Sequence, residues 1–286
     1  GQVVSAGSVP FPGGFRLPPH ADGTLPLPLD VPAKGKCFVN ICYHCKQDSA
    51  LIKADHLLGF DEIPLQNSDP RNQDAVQLLG RPAGDGLITI RETDRMLVLS
   101  CEQFTYVFNK LTGLFDKMTF ANEPLLDQPM GFNVWRAPTD NDRKLKADWY
   151  AAHYDHAATN AYHTEYTVTA SGVTLHTHVG IAAICVQKFL DLDVTWTVAN
   201  NGSVDLALHA QRNTVFPELP RFGLRLFLPQ EMSQVNYYGM GPMECYCDKH
   251  HAASHNSYTA TVWQLHEDYI RPQENGSHFD CDYVML

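Results

Sequence analysis

A short polar stretch near the middle of the chain, residues 135–142, carries side chains that could bind or orient a polar ligand. It reads Trp-Arg-Ala-Pro-Thr-Asp-Asn-Asp, so that Arg136 is followed closely by Asp140, Asn141 and Asp142. The proline removes a backbone donor and keeps the preceding residue extended, and Asp and Asn side chains cap turns by bonding to their own backbone. Two interpretations stay open: a loop that presents a cation and two carboxylates to a ligand, or a loop whose side chains only cap it.

The cysteines and histidines are the other side chains that could hold a ligand, and the chain has 8 and 14 of them. Cys42 and Cys45 form a C-x-x-C pair, and a zinc site would need a second pair at suitable spacing. The candidate second pair is Cys245 and Cys247, which two histidines follow. A strand predicted around Cys42 would point the first pair to opposite faces of a sheet, so no metal site is predicted. Free thiols rather than disulfides are expected in a chain of this length without a secretory signal.

Length and composition predict a folded chain of one large domain or two ordinary ones. Of the 286 residues, 44% are hydrophobic and 19% are charged, which is enough apolar side chain to build a core. The formal net charge of -11 argues against a nucleic-acid partner, which needs a basic face. No uninterrupted apolar run reaches about 18 residues, so no contact with a membrane interior is predicted. The first residues lack the basic and apolar parts of a signal peptide, which favours a cytoplasmic location.

Strand patterns fill most of the chain and predict an all-β fold. Branched and aromatic side chains alternate over residues 194–198, as in an antiparallel sheet with one exposed face. Turns containing glycine are predicted at 110–113 and 200–203, and one short helix is predicted at 145–152. The predicted strands are 37–43, 57–65, 87–91, 96–102, 104–109, 114–120, 161–170, 173–179, 185–200, 205–214 and 223–229.

Three strings of residues are similar to strings of the β-galactosidases of glycoside hydrolase family 2, and they occur in that family's order and at about its spacing. Residues 135–142 resemble the W/F-R-A-P-x-D-N-D string near the start of the family's last domain. Residues 238–249 resemble its G-x-G-P-x-E-x-Y-x-D-R string, and residues 269–276 resemble its Y-x-R-P-Q-E-N-G string. The motif residues that the second and third strings carry are Gly241, Pro242, Glu244, Arg271, Glu274 and Asn275.

The resemblance implies two β-sandwich domains. Residues 1–66 are similar to the later part of the immunoglobulin-like domain that precedes the last domain, and the early strands of that sandwich are expected to be missing. Residues 67–86 are polar and interrupted by Pro and Gly, which predicts a linker. Residues 87–286 are expected to form a large antiparallel supersandwich of the galactose mutarotase-like fold, with its C-terminal part missing.

The resemblance also implies an activity, which is the retaining hydrolysis of terminal β-D-galactosides such as lactose. This chemistry needs two carboxylates about 5 Å apart, and in this family both are glutamates of an (α/β) barrel that precedes the sandwich. The sequence contains no alternating βαβ pattern that would build a barrel. We therefore expect a non-catalytic C-terminal part of the enzyme that is inactive alone. The resemblance places the magnesium and sodium ions of the family near the barrel, so no cofactor is expected in this chain.

In the family, the loop after the first string lies at the mouth of the active site and shifts between positions. The resemblance therefore implies that this part of the chain contacts the β-galactoside held by the barrel. Trp149 lies in a polar segment and is predicted to be an exposed platform for a sugar, whereas Trp135, Trp196 and Trp263 are predicted to be core residues. The residues expected around the mouth are Arg136, Asp140, Asn141, Asp142, Arg143, Lys144 and Trp149.

Two other interpretations stay open. The chain could be a stand-alone carbohydrate-binding or interaction module, or, less well supported, an aldose mutarotase, because the fold is shared but no mutarotase motif is matched. As part of the enzyme, the chain is expected to belong to a homo-oligomer. Open sheet edges in an incomplete sandwich would also favour self-association.

Overall fold

The computed structural model describes residues 3–8, 18–33, 35–66 and 86–286 of the chain. The described part is all-β with antiparallel sheets, as predicted from the strand patterns. The strands are β1 (Cys37–His44), β2 (Leu57–Gln66), β3 (Thr89–Glu92), β4 (Met96–Ser100), β5 (Phe104–Asn109), β6 (Leu114–Phe120), β7 (Glu123–Pro124), β8 (Gln128–Asn133), β9 (Ala158–Thr169), β10 (Gly172–Ala182), β11 (Leu190–Ala199), β12 (Val204–Arg212), β13 (Gly223–Phe227), β14 (Gln234–Gly241), β15 (Ser254–Thr261) and β16 (Tyr283–Met285).

The helix predicted at 145–152 is present as α1 (Lys146–Ala151). Short 3-10 helices precede and follow it at Asp140–Lys144 and Tyr154–His156, and another occupies Val262–Leu265. In the part of the chain that the structure describes, none of the helices has the length and apolarity to span a bilayer.

The described residues belong to two compact units. Of the described residues, unit 1 draws on those up to position 66, on Val235–Leu265 and on Ser277–Met285. Unit 2 draws on those from 86 to 234, on His266–Gly276 and on Leu286. These units do not coincide with the domains expected at 1–66 and 87–286, because later segments of the chain contribute to unit 1. The linker expected at 67–86 lies outside the described residues except for its last residue. The domain boundaries therefore stay a prediction.

Unit 2 contains a five-stranded sheet in the order β3-β4-β5-β6-β7 and a four-stranded sheet in the order β12-β11-β10-β9. A further pair joins β13 and β8. Every second residue of β11, from Leu190 to Val198, is buried, while the intervening residues are partly or fully exposed. This alternation is the one that the sequence predicted for a sheet with one face on the core.

The core of unit 2 lies between these two sheets. Trp196 on β11 is 2% exposed, and its ring meets the ring of Phe115 on β6 edge-on, with centroids 5.3 Å apart. The indole N–H of Trp196 donates to the carbonyl of Gly113 at 3.0 Å. Gly113 has a φ of +73°, and a Cβ at this position would lie 2.8 Å from a methyl of Val179 on β10. The predicted turn before β6 therefore needs glycine both for its backbone and for its contact with the opposite sheet.

One predicted strand starts later than expected. The pattern predicted a strand over 185–200, but β11 begins at Leu190. Cys185 has a φ of +65°, and the N–H of Val186 donates to the carbonyl of Ala183 at 3.2 Å. These features form a turn between β10 and β11, which the branched side chains of the segment did not indicate.

The carboxylate of Glu92 in unit 2 connects the edge strands of the five-stranded and four-stranded sheets. We therefore predict that the stability of the fold depends on pH. Glu92 on β3 accepts hydrogen bonds from Nζ of Lys110 at 2.8 Å and from the hydroxyl of Tyr166 on β9 at 3.2 Å. The bond from Lys110 and, after it, the bond from Tyr166 lower the pKa of the Glu92 carboxyl. The folded state is therefore stabilised above the ordinary glutamate pKa of about 4.3, and this stabilisation is lost as the pH falls through the folded value.

The substitution Glu92→Gln should make the free energy of unfolding depend less steeply on pH between about pH 5 and about pH 3. Urea unfolding at several pH values in this window measures the slope. Glu102→Gln, which changes an exposed glutamate of a neighbouring loop, is the control. If the free energy of unfolding of Glu92→Gln depends on pH as steeply as that of the parent chain, the two hydrogen bonds do not contribute to stability.

Unit 1 contains a two-stranded sheet of β1 and β2 and a three-stranded sheet in the order β15-β14-β16. The antiparallel register of the first sheet pairs Val39 with Ile63 and Asn40 with Glu62. Both strands were predicted from the sequence to within one residue at each end.

Candidate functional site

The loop at 135–144 in unit 2 is held by an ion pair between the partly buried Arg136 and the buried Asp142. Nη2 of Arg136 donates to Oδ1 of Asp142 at 2.7 Å, and Asp142 is 5% exposed. The other oxygen, Oδ2, accepts from the backbone N–H and the hydroxyl of Thr139 at 2.9 and 3.1 Å. Asp142 lies in the first turn of the 3-10 helix and bonds to the residue that precedes this helix, as in a capping box. Of the two interpretations of this stretch, Asp142 therefore fits the capping one.

The other charged and polar side chains of the loop face outward. Asp140, Asn141, Arg143 and Lys144 are all exposed, on a segment that the Arg136–Asp142 pair holds in place. Two acceptors and two cationic donors on a fixed backbone could form hydrogen bonds with a hydroxylated ligand. These four residues are consequently the part of the predicted loop that is available for contact.

Trp149 is not an exposed platform, so that prediction was wrong. It is 4% exposed, and its indole N–H donates to the carbonyl of Glu218 at 3.0 Å. The guanidinium of Arg136 lies 5.8 Å from the centre of its ring, and Trp135 packs against it edge-on. Helix α1 turns this side chain inward and leaves the polar residues on either side of it outward, a choice that a polar local sequence does not reveal.

The assignment of the remaining tryptophans was correct in part. Trp196 lies in the core as predicted, and Trp135 is half-buried and packs against the core. Trp263 is 81% exposed, on the 3-10 helix at Val262–Leu265 of unit 1, so the prediction of a core position was wrong. The turn of this 3-10 helix places the indole outward.

A cleft of about 280 Å³ lies beside the loop in unit 2. The side chain of Arg136 contributes one wall, and its Nε is buried without a hydrogen-bond partner among the described residues. An unpaired buried donor is costly, and a ligand or water with an acceptor oxygen could satisfy it. The residues around the cleft are Arg136, Asp142, Leu145, Asp148, Trp149, Pro217, Glu218, Leu219 and Pro220.

Glu274 connects the third motif string to the first. The N–H of Glu274 donates to the carbonyl of Ala137 at 3.2 Å, and the N–H of Ala137 donates to Oε2 of Glu274 at 3.2 Å. The guanidinium of Arg221 donates to the other carboxylate oxygen. Two strings that lie far apart in the sequence are thus hydrogen-bonded to each other, and Glu274 has a structural role in the candidate site.

The neighbours of Glu274 in the third string differ in their roles. The side-chain amide of Asn275 bonds to both backbone groups of Glu267, with the N–H of Glu267 donating to Oδ1 at 3.0 Å. Arg271 is exposed, and none of the salt bridges among the described residues includes it. Asn275 therefore shapes the turn, whereas Arg271 is free to meet a ligand or another segment.

The contacts of Glu274 predict a measurable loss of stability. The substitution Glu274→Ala should lower the free energy of unfolding by about 2 kcal/mol, because it removes hydrogen bonds between charged and polar groups and leaves Arg221 without its carboxylate. Urea unfolding measures this change. Glu267→Ala is the matched control, since Glu267 lies in the same segment and bonds through its backbone. Equal, small effects of both substitutions would show that Glu274 does not hold the two strings together.

The second motif string belongs to unit 1. A Cβ on Gly241 would lie 2.3 Å from the hydroxyl of Tyr237, and the carbonyl of Gly241 accepts from the hydroxyl of Tyr258 at 3.0 Å. The bond between Gly241 and Pro242 is cis. Glu244 is buried, and Nζ of Lys249 lies 3.3 Å from its Oε1. These contacts give the string a structural role within unit 1.

No cation site is built from the predicted residues. Among the described residues, no group of three or more His, Cys, Asp or Glu side chains could hold a metal ion. The carboxylate of Asp142 already bonds to Arg136 and Thr139, so the loop does not fit the oxygen-rich set that magnesium or sodium would need. All eight cysteines are free, and burial raises the pKa of the Cys245 thiol, which disfavours the thiolate form that binds zinc.

A family model described as "Beta galactosidase small chain" matches residues 100–286. The chain belongs to this family. It is 33% identical over 284 residues to a β-galactosidase of Actinobacillus pleuropneumoniae, covering 99% of this chain and 27% of the relative. It is 32% identical over 269 residues to a β-galactosidase of Staphylococcus xylosus, covering 94% of this chain and 26% of the relative. The chain thus spans about a quarter of the length of the curated relatives it matches.

Sequence reasoning missed several residues of the site in this small-chain region. Arg221, which bonds to Glu274, and the segment 217–220, which lines the cleft, lie outside all three motif strings. The run Pro-Glu-Leu-Pro-Arg at 217–221 is a local signal, because its two prolines restrict the backbone next to an arginine. Nothing in that run indicates which distant carboxylate the arginine meets.

Proposed function

We propose that this chain is a non-catalytic region of a retaining β-galactosidase, that its loop at 135–144 borders an active site formed elsewhere in the enzyme, and that it is inactive alone. The observation that carries the proposal is the arrangement of this loop. Asp142 accepts hydrogen bonds from Arg136 and Thr139, while four polar side chains of the loop face outward. The relatives' name supports the activity, and their greater length supports a role as one part of a larger enzyme.

The carboxylates of the chain support a non-catalytic role. Retaining hydrolysis needs one carboxylate as nucleophile and a second as acid and base. Several glutamates of this chain are instead bonded to cations or imidazole within the fold, so that their negative charge stabilises the structure. The pairs are Glu62 with His255, Glu92 with Lys110, Glu218 with Arg212, Glu244 with Lys249, and Glu274 with Arg221.

The chemistry of the exposed loop fits a neutral, hydroxylated substrate. Arg143 and Lys144 can donate to sugar oxygens, and Asp140 and Asn141 can accept from sugar hydroxyls. A loop that is fixed at one end by the Arg136–Asp142 pair would supply contacts without carrying out the reaction. The proposal therefore assigns these residues to substrate contact at the mouth and assigns the reaction to the remainder of the enzyme.

One observation favours the second candidate, a carbohydrate-binding module. Trp263 is an exposed indole, and such a ring can stack against the apolar face of a sugar. Calorimetry with galactose and lactose would separate this candidate, which requires binding by the chain alone and its loss in Trp263→Ala. The family 2 assignment, the mutarotase-like fold, the homo-oligomer, the cytoplasmic location and the magnesium and sodium ions of the whole enzyme stay predictions.

An exchange of regions tests the proposed function. The matching region of the Actinobacillus pleuropneumoniae β-galactosidase is replaced by this chain, and kcat and KM are measured with a chromogenic β-galactoside. We expect hydrolysis by the hybrid. The double substitution Arg143→Ala, Lys144→Ala should raise KM about tenfold, because the outward donors of the loop contribute to binding of the substrate.

The control for this exchange is Lys117→Ala, which removes an exposed cation from β6. It should leave both kinetic constants unchanged. A folded hybrid without hydrolysis would contradict the proposed role as an enzyme region. An active hybrid that tolerates the double substitution as well as it tolerates Lys117→Ala would contradict the placement of the loop at the mouth.

A further inference from the structure

His255 on β15 of unit 1 has a largely buried side chain, and its two ring nitrogens both face carboxylate oxygens. Nδ1 lies 2.5 Å from Oε1 of Glu62 on β2, and Nε2 lies 2.8 Å from Oδ2 of Asp280. The side chains of His255 and Glu62 are only 5% and 7% exposed. None of these three residues belongs to the loop or to the motif strings, and the proposed function uses the pair of Glu62 and His255 only as one of several bonded glutamates.

These contacts attach the β1–β2 sheet to β15. Oε2 of Glu62 accepts the backbone N–H of His255 at 2.9 Å, and Phe38 on β1 stacks on the imidazole with ring centroids 4.2 Å apart. A two-stranded sheet is only marginally stable by itself in water. The imidazole and its two carboxylates therefore govern how firmly the β1–β2 sheet is held.

While both carboxyl groups are ionised, the geometry favours two protons on the imidazole. A carboxylate only accepts hydrogen bonds, so both ring nitrogens can donate only in the imidazolium form. When one proton leaves, a nitrogen lone pair faces a carboxylate, and a favourable contact is replaced by a repulsive one. We propose that Glu62, His255 and Asp280 form a proton-dependent clamp, which holds the β1–β2 sheet when the ring carries both protons and loosens it when one is lost.

Other charged and titratable groups face the clamp from neighbouring segments. Nζ of Lys36 lies 3.6 Å from Asp280 and 3.0 Å from Asp282, and it also lies 5.9 Å from the ring centre of Tyr238. Burial opposes ionisation of Asp280, but the bond from His255 and the charge of Lys36 outweigh it and lower the pKa of Asp280. Burial and then the neighbouring carboxylates raise the pKa of Tyr238. Asp280 therefore stays ionised and Tyr238 stays neutral over the pH range in which an imidazole changes charge.

Hydrogen exchange of the full chain, followed by mass spectrometry, tests the clamp. Peptides from β1 and β2 are compared with peptides from β11, after correction for the intrinsic pH dependence of exchange. Protection of β1 and β2 should fall at least about tenfold between about pH 6 and about pH 9, the effect of losing one hydrogen bond between charged groups. Asp280→Asn should abolish this pH dependence, because an amide can accept from a ring N–H or donate to a ring lone pair.

Two controls separate the imidazole of His255 from other groups of the same sheet. His44→Gln changes an exposed histidine of β1, and Cys37→Ser removes the thiol that lies near Tyr238. Both variants should keep the pH dependence of the parent chain. Protection of β1 and β2 that is the same at both pH values in the parent chain would overturn the proposal. A pH dependence that persists in Asp280→Asn, or that disappears in either control, would overturn it as well.

Discussion

Replacing Arg136 by leucine is expected to lower the free energy of unfolding by about 3 kcal/mol. The guanidinium donates to Asp142 at 2.7 Å, and this carboxylate is almost wholly buried. Removal of the cation alone leaves the carboxylate in a site of low polarity without its counter-charge, which costs more than the ion pair itself contributes. Urea unfolding of the 286-residue chain, followed by tryptophan fluorescence, measures the change.

The control for this result is Arg143→Leu, the same substitution at an exposed position of the same loop. It should change the free energy of unfolding by less than about 0.5 kcal/mol. A double variant, Arg136→Leu with Asp142→Leu, should recover part of the loss, since no unpaired charge remains buried. A loss at Arg136 no larger than that at Arg143 would mean that the ion pair does not hold the loop.

Replacing Trp196 by alanine is expected to lower the free energy of unfolding by about 4 kcal/mol. The indole fills the space between the two sheets of unit 2 and meets the ring of Phe115 edge-on. Its N–H also donates to the carbonyl of Gly113, so the substitution leaves a buried acceptor unpaired as well as a cavity. The same urea titration measures the loss, with circular dichroism as the signal because a tryptophan is removed.

Trp263→Ala is the matched control, because it removes the same side chain from an exposed position. It should change the free energy of unfolding by less than about 0.5 kcal/mol. Similar losses at both positions would contradict the assignment of Trp196 to the core and of Trp263 to the surface.

The strands of this chain were predictable because they depend on side chains that are close together in the sequence. The alternation over 194–198 reappears as the alternating burial of β11, and the glycine turns at 110–113 and 200–203 connect neighbouring strands. Gly113 and Gly202 both have positive φ, which is the conformation that these turns require. Local pattern and local backbone geometry were sufficient here.

The tryptophans show where local pattern fails. Trp149 lies in a polar segment but points into the core, and Trp263, which was predicted to be a core residue, points outward. Each side chain is on a helical turn of only a few residues, so a rotation by one position exchanges the buried and exposed faces. The direction of so short a turn depends on packing against distant segments, such as the carbonyl of Glu218 that accepts the indole N–H of Trp149.

The sequence indicated which motif strings belong to the candidate site, but it did not indicate which of their residues bond to each other. The first and third strings come together through Glu274, whereas the second string contributes to unit 1. The guanidinium of Arg221 donates to the carboxylate of Glu274, and Arg221 lies outside all three motif strings. Long-range pairs of this kind follow from the tertiary fold, and a single sequence carries no local signal for them.

The measurement that tests the central claim most directly is the hydrolysis of a chromogenic β-galactoside by the purified 286-residue chain. We predict a rate equal to that of a mock purification, because the chain is proposed to contribute to the mouth of an active site whose catalytic carboxylates lie elsewhere in the enzyme. A rate well above the mock level that follows the chain through purification would contradict the claim, since it would require a catalytic carboxylate pair within these residues.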